Sequence, residues 1–323
     1  MKKVIEVKNI VKKFNGMTAV NHVSFDVDEG EIFGFLGPNG AGKSTTINML
    51  STLLVPTEGD ALINGYSISS QREEVRRSIG LVFQDPSLDD RLTAEENLRF
   101  HAQLYQVPKK EYHQRMEEVL RLVELWERRK DVVKKFSGGM KRRLEIGRGL
   151  IHYPAVLFLD EPTIGLDPQT RSHIWQYVLK LKREKHMTIF MTTHYMDEAD
   201  YCDRIAVIDN GKIVAMDTPN GLRKLLGGDI IQIRSPKLEA VKMEVQKMCP
   251  DREIKEEKGV LQIKVSEGEK ILPRLAKEIV APIDSIELRK PTLDDVFLFL
   301  TGREIRPAGA EHVATRWGGR PRS

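Results

Sequence analysis

The chain has 323 residues, 40% of them apolar, enough to bury one large core and a second, smaller one. No apolar run approaches the roughly 18 residues of a membrane span, and the opening MKKVIEVKNIVKKF alternates polar and apolar residues where a signal peptide would be continuously apolar, so a globular chain with at most peripheral membrane contact is expected. The net charge of +4 does not argue for a nucleic-acid partner, because from Arg303 onward five arginines oppose two glutamates and hold most of the excess.

Residues 31–36 form an apolar run that reads as a buried strand, and 45–53 read as a helix. The turn between them, GPNGAGKS, follows the pattern G-x-x-x-x-G-K-S. Gly37, Gly40 and Gly42 let the backbone approach a phosphate, whose oxygens accept N–H bonds from the loop and from the positive end of the following helix. Lys43 adds a formal charge, and the Ser44 hydroxyl is placed to ligate a magnesium ion that also holds phosphate oxygens. Strand, loop and helix in this order make a P-loop.

Next, SIGLVFQ is an apolar run closed by Gln84, whose amide can accept from water and ligate a cation. The pattern then turns helical. In RMEEVLRLVELW, Met116, Val119, Leu120, Val123 and Trp126 share one face, which predicts an inserted helical subdomain over about residues 86–150. In FSGGMKRRLEIGRGLI, Ser137, Gly138 and Gly139 open an amphipathic helix with Leu144, Gly147 and Ile151 along one face, a second phosphate-binding helix start. One P-loop and a separate phosphate cradle invite a dimer in which each cradle covers the nucleotide held by the other copy.

The apolar strand in PAVLFLDEP ends in Asp160 and Glu161. Ligands gather at the carboxyl ends of strands in parallel sheets wound with helices, so this strand is expected beside the P-loop strand. There Asp160 would hold magnesium through water and Glu161 would polarise an attacking water. A similar strand, MTIFMTTH, ends in His194, whose imidazole can donate to a γ-phosphate. Cys202 and Cys249 lack the paired spacing of a zinc site, which predicts ordinary thiols in a reducing compartment and no metal bound through sulfur.

After Gly227 and Gly228 the strand-like DIIQIRS, GVLQIKVSE and DSIELRK alternate with helical KLEAVKMEVQKM and KILPRLAKEIV, and PTLDDVFLFLTG offers Thr292 and Asp295 as a capping box. These patterns predict a core domain over residues 1–227, a small α+β domain over 228–303 without new chemistry, and a disordered basic tail over 304–323.

Taken in order, these motifs resemble the nucleotide-binding subunit of an ATP-binding cassette (ABC) transporter. Residues 37–45 resemble its Walker A motif (Gly37, Pro38, Asn39, Gly40, Ala41, Gly42, Lys43, Ser44, Thr45), Gln84 its Q-loop, Ser137 to Met140 its signature, Val156 to Glu161 its Walker B motif, Gly165 to Asp167 its D-loop and His194 its switch histidine. The resemblance implies ATP and Mg2+ as cofactors. Phe14 would stack on adenine, Lys43 would hold phosphate, and Ser44, Gln84 and Asp160 would serve the metal. Glu161 would be the general base, aided by Gln84 and His194, and Asp167 would communicate across a dimer. Phe14 stands where tyrosine is more usual, and Met140 where glutamine is commoner.

The ending resembles the carboxyl-terminal appendage of the daunorubicin-resistance and sodium-export branch. The fold expected is an α/β P-loop core with an antiparallel β edge, an inserted helical subdomain and an α+β appendage. The function expected is an ATPase subunit that drives export through a separate ABC-2 type permease, dimerises with a second copy, and sits on the cytoplasmic face of the membrane. The alternative is a soluble ABC ATPase of translation or DNA repair. Such proteins usually carry paired cassettes or long coiled coils, and this chain has one set of motifs and no such heptads. Intact Glu161 and His194 disfavour a scaffold without turnover.

Overall fold

The structure, a computed structural model, describes residues 2–302 except Pro86, Asp251, Glu253 and Lys258. The stretch read as a disordered tail lies outside the described residues. The chain divides into two compact units, the first reaching Met216 and the second beginning at Asp217.

The first unit runs β1 (Lys3–Phe14), β2 (Met17–Asp28), β3 (Ile32–Leu36), α1 (Lys43–Leu50), β4 (Glu58–Ile63), β5 (Tyr66–Ser67), α2 (Arg72–Ser78), β6 (Ile79–Val82), α3 (Ala94–Leu104), α4 (Lys109–Leu122), α5 (Gly138–Leu150), β7 (Val156–Asp160), α6 (Pro168–Lys185), β8 (Thr188–Thr193), α7 (Met196–Ala199), β9 (Arg204–Asp209) and β10 (Lys212–Asp217). β1 and β2 pair antiparallel across Asn15 and Gly16, both at positive φ as a tight hairpin turn requires. With β4 and β5 they form a sheet in the order β2-β1-β4-β5. A second sheet has the order β10-β9-β3-β8-β7-β6, and β9, β3, β8, β7 and β6 run parallel. The antiparallel β edge is therefore a sheet of its own. Aromatic rings join the two sheets: Phe25 of β2 stacks on Phe33 of β3 with centroids 5.2 Å apart and lies 5.7 Å from Phe190 of β8, which meets Phe158 of β7 at 5.4 Å.

The strand order corrects one expectation. β7 does not lie beside the P-loop strand β3, because β8 is hydrogen-bonded to both. The run of buried apolar residues in each strand specifies that all three are central but not which neighbours which.

In the helical subdomain, α3 opens on a capping box formed by Thr93 and Glu96. Met116, Val119 and Leu120 of α4 are buried with Val123 as expected, but the helix stops at Leu122, because Glu124 turns to φ 55. Trp126 belongs to a separate single turn, where the Arg121 and Arg129 guanidinium groups lie 4.9 and 4.1 Å from its ring centroid. α5 presses close to β6: a Cβ on Gly80 would stand 2.2 Å from the Gly149 carbonyl oxygen.

Just beyond α5, the His152 ring lies on Tyr105 with centroids 3.8 Å apart, and its Nε2 is 2.9 Å from the Ile79 carbonyl oxygen. Burial lowers His152 to about 4, and burial with the Arg148 charge lowers His101 to about 4. Both are then neutral in the fold and become protonated more readily in the unfolded chain. The unfolded state thus binds more protons between the ordinary histidine value and about 4, and stability must fall as pH drops through that window. The thermal midpoint should decline below about pH 6.5, and His152→Gln should flatten that decline in a differential scanning measurement.

The second unit runs α8 (Pro219–Lys224), β11 (Asp229–Arg234), α9 (Leu238–Met248), β12 (Ile254–Glu257), β13 (Val260–Val265), α10 (Gly268–Glu278), β14 (Ser285–Arg289) and α11 (Leu293–Thr301). Its antiparallel sheet has the order β12-β13-β11-β14. Ile231, Ile233, Leu261, Ile263 and Val265 of the sheet bury against Val241 and Val245 of α9 and Leu275 of α10. Thr292 and Asp295 do form a capping box on α11. The run of charge in β12 concealed that strand from a reading based on apolar alternation.

Candidate active site

The P-loop leaves the buried end of β3 and enters α1 at Gly42, which adopts φ 105. A Cβ at Gly42 would stand 2.6 Å from the Ala19 carbonyl oxygen, and one at Gly37 would stand 2.3 Å from that of Ile208. Gly40, at φ 80, has no such neighbour within 4 Å among the described residues. The base of the loop is thus held tightly against β2 and β9 while its tip stays open, a shape only glycine permits at these positions.

Lys43 folds back under the loop. Its Nζ donates to the carbonyl oxygens of Gly37 at 2.8 Å and Pro38 at 3.1 Å, and lies 3.2 Å from Glu161 Oε1. The Ser44 hydroxyl donates to Asp160 Oδ1 at 3.2 Å, which also accepts from Thr192 Oγ1 at 2.5 Å. Thr192 Oγ1 accepts the Glu161 N–H at 3.0 Å, and Glu161 Oε2 meets His194 Nδ1 at 3.1 Å. β8 carries Thr192 and leads into His194 two residues on, so both reach the same side of the sheet end.

Lys43, Asp160, Glu161 and His194 are each no more than 7% exposed, so their charges act on one another with little screening by water. Burial lowers the Lys43 ammonium although Glu161 and Asp160 oppose the shift. Burial raises Asp160 although Thr192 and Ser44 donate to it. Burial also pushes Glu161 up, but the His194 hydrogen bond and the Lys43 charge outweigh it and hold this carboxyl below its ordinary value. Glu161 is therefore a carboxylate at neutral pH.

His194 Nε2 is buried with no hydrogen-bond partner among the described residues. An orphaned imidazole nitrogen, a loop tip open to ligand and a lysine at its base fit a phosphate chain. A serine hydroxyl beside a carboxylate fits a hard divalent cation such as Mg2+.

The other expected residues lie elsewhere. Asn39 is exposed at the loop tip and Thr45 is half-buried in α1, while the Ala41 carbonyl accepts from Gly211 N–H at 3.0 Å. Gln84 is exposed just past β6, and no hydrogen bond among the described residues joins its side chain to the cluster. Phe14 is 42% exposed at the end of β1, with Lys12 Nζ 5.1 Å from its ring centroid. Ser137 is exposed and caps α5 by accepting the Met140 N–H at 3.3 Å. Asp167 caps α6 by accepting from Thr170 N–H at 3.0 Å and Thr170 Oγ1 at 2.6 Å. The start of α5 packs against the segment that leads into α6: a Cβ on Gly139 would stand 2.5 Å from Thr170 Cγ2, and one on Gly138 3.4 Å from Leu166 Cδ2.

Two contributors carry little signal in the sequence. Thr192 was signalled only by its spacing from His194. Arg142, 6% exposed, is buried on α5 together with Glu145 and Arg148, and nothing in the sequence separates these three from the less buried charges of the same helix.

A glycine loop over a buried lysine, with a hydroxyl and two carboxylates at the ends of parallel strands, defines a P-loop nucleoside triphosphatase. Residues 20–164 match the family described as ABC transporter, and residues 218–301 the ATP-binding protein DrrA1-3-like, C-terminal domain. The linearmycin resistance ATP-binding protein LnrL of Bacillus subtilis (strain 168) is 40% identical over 311 residues, spanning 94% of this chain and 100% of that one. The daunorubicin/doxorubicin resistance ATP-binding protein DrrA of Streptomyces peucetius is 36% identical over 320 residues, spanning 97% and 96%. Among solved structures, an ATP binding subunit of an ABC transporter superposes with a TM-score of 0.62 at 33% identity, covering 69% of this chain and 93% of that one. A dimeric post-hydrolysis cassette, MJ0796, bound to ADP and Pi does so with 0.59 at 30%, covering 66% and 98%. The chain belongs to the ATP-binding subunits of the ABC transporter family, in the branch that carries a DrrA-like C-terminal domain. It is an ATP-binding ATPase, and these relatives do not favour the translation or repair alternative.

Proposed function

We propose that the chain hydrolyses ATP to energise export through a separate transmembrane permease of the ABC-2 type, from the cytoplasmic face of the membrane. The buried Lys43–Glu161–His194 cluster under the P-loop carries this reading. Lys43 holds phosphate charge, and Glu161, kept ionised by its neighbours, takes up or orients the proton of the attacking water. Because the Glu161 carboxylate takes the Nδ1–H of His194, Nε2 donates to the γ-phosphate when the imidazole carries a proton on both nitrogens. Ser44, Gln84 and Asp160, the last through water, hold Mg2+, which when bound neutralises phosphate charge. Phe14 supplies the adenine stack.

Ser137, Gly138 and Gly139, exposed or half-exposed and not bonded to their own P-loop among the described residues, cover the nucleotide of a second copy, with Asp167 beside them. ATP then closes two copies face to face, and hydrolysis reopens them because the closed state binds ATP better than its products.

A cavity of about 530 Å³ between the core and the helices is lined by Leu53, Arg77, Leu104, Tyr105 and Arg148. Leu53 and Leu104 in its wall are largely exposed, and this groove is where the permease docks. The second unit is read as an interaction module. Co-expression with a neighbouring gene product of about six apolar spans should yield a complex that Leu104→Asp dissolves without loss of ATP binding. A complex indifferent to Leu104→Asp would move docking elsewhere. A gene set among repair or translation factors, with no such neighbour, would overturn export.

A further inference from the structure

All five N–H groups of the Arg142 guanidinium are engaged in the protein interior. Nε donates to the Pro162 carbonyl oxygen at 2.6 Å, and Nη1 to that of Phe83 at 2.6 Å and to Glu145 Oε2 at 3.0 Å. Nη2 donates to the carbonyl oxygens of Asp160 and Glu161, each at 3.2 Å. One side chain on α5 thus grips the backbone at both carboxylates and the residue preceding Gln84. Glu145, one turn on and 1% exposed, adds a grip on the same Gln84 segment by accepting the Ser87 N–H at 2.8 Å, and Arg148 donates to the Ser87 carbonyl oxygen at 3.0 Å.

Glu161 itself has φ 45. A branched or long side chain resists this left-handed conformation, so the surrounding structure must impose it. Thr192 fixes the Glu161 N–H, and Arg142 fixes the carbonyl oxygens on either side of the peptide that rotates. Glycine at this position would relax the backbone but carry no carboxylate.

We infer that Arg142 is a positioning residue: by clamping the carbonyls of Phe83, Asp160, Glu161 and Pro162 it sets the aim of the Glu161 carboxylate and ties that aim to the helix that Ser137 begins. Arg142 lies five residues past Ser137, roughly 7–8 Å along the helix axis. Any shift of α5 either drags residues 160–162 and the Gln84 segment with it or breaks a cluster of buried charge-assisted bonds. The inference rests on the ATPase reading above. If Ser137 senses the nucleotide of the second copy, the clamp carries that state back to the carboxylate of its own site.

The test uses the full chain with Mg2+ and ATP. Arg142→Lys keeps a charge for Glu145, but a single ammonium cannot span four carbonyls. Measured at a temperature where the variant is fully folded, its kcat should fall by about tenfold or more while KM and ATP affinity stay within about twofold, although the thermal midpoint drops because buried carbonyls lose their donor. Arg142→Ala combined with Glu145→Ala removes the buried pair together and should give the same split. Wild-type kcat in either folded variant would overturn the inference, as would a KM that changes as much as kcat. If neither variant folds, hydrogen exchange of the wild type decides: amides of residues 138–146 and 160–163 should change protection together when ATP is added, and independent responses overturn the coupling. Absence of turnover in the wild type, or its persistence in Lys43→Ala, would instead count against the ATPase reading, which the exchange experiment does not require.

Discussion

Lys43→Ala is expected to lower ATP affinity or turnover by at least tenfold, about 1.4 kcal/mol. The ammonium lies at the base of the loop, where it satisfies the Gly37 and Pro38 carbonyls and faces Glu161. Alanine removes three donors at once, leaves Glu161 Oε1 buried without its cation, and turns two carbonyl dipoles toward an anionic ligand. Phosphate binding and the ionised state of the base therefore suffer together. Calorimetric titration with ATP and a phosphate-release assay read the two effects separately. Wild-type values in both would remove the P-loop from the proposed chemistry.

Replacing Glu161 by glutamine should leave ATP bound while hydrolysis slows by roughly 10²–10⁴-fold, the usual contribution of a positioned base. The amide can fit only one way round. Its oxygen must accept from Lys43 and its NH2 must face His194 Nδ1, so the imidazole proton is directed to Nε2, the nitrogen that has no partner among the described residues. The variant should then accumulate as an ATP-dependent dimer in analytical ultracentrifugation, whereas the wild type under turnover should be mostly monomeric without its permease. Ser137→Arg added to it places bulk and a cation in the exposed cradle at the start of α5 and should abolish the dimer. Undiminished dimerisation of the double variant would separate the signature from the nucleotide of the second copy.

Local chemistry was legible wherever a single turn carries it. The P-loop, the Ser137 cap and the Thr292 and Asp295 capping box are short-range patterns in which each residue's neighbours in sequence are its neighbours in space. Adjacency in the sheet was not. The strands β3, β7 and β8 are each buried throughout, so their apolar runs carry no alternation to distinguish faces or neighbours, and β8 was not placed between the other two. Arg142 is not legible in the sequence because its partners are backbone carbonyls on distant segments, and a carbonyl leaves no trace in residue identity. Gln84, Ser137 and Asp167 were found by motif, yet the chain alone does not gather them at the P-loop. A sequence records which residues matter more readily than whether they act within one copy or between two.

The position of β8 also governs when the site comes into being during synthesis. The P-loop emerges from the ribosome early, but Ser44 and its partner Asp160 are 116 residues apart, and the strand that must be laid between β3 and β7 is later still. Until residues 188–194 are inserted, the nascent chain has a glycine loop with no carboxylate aimed at it, no hydroxyl from Thr192 to fix Asp160 and no imidazole for Glu161. Nucleotide can grip firmly only after β8 and then β9, whose Ile208 carbonyl abuts the loop at Gly37, have joined β3, and from then on it favours the completed fold over the incomplete ones by mass action. In a cell with abundant ATP, the ligand thus selects finished molecules and leaves truncated or stalled chains without its support.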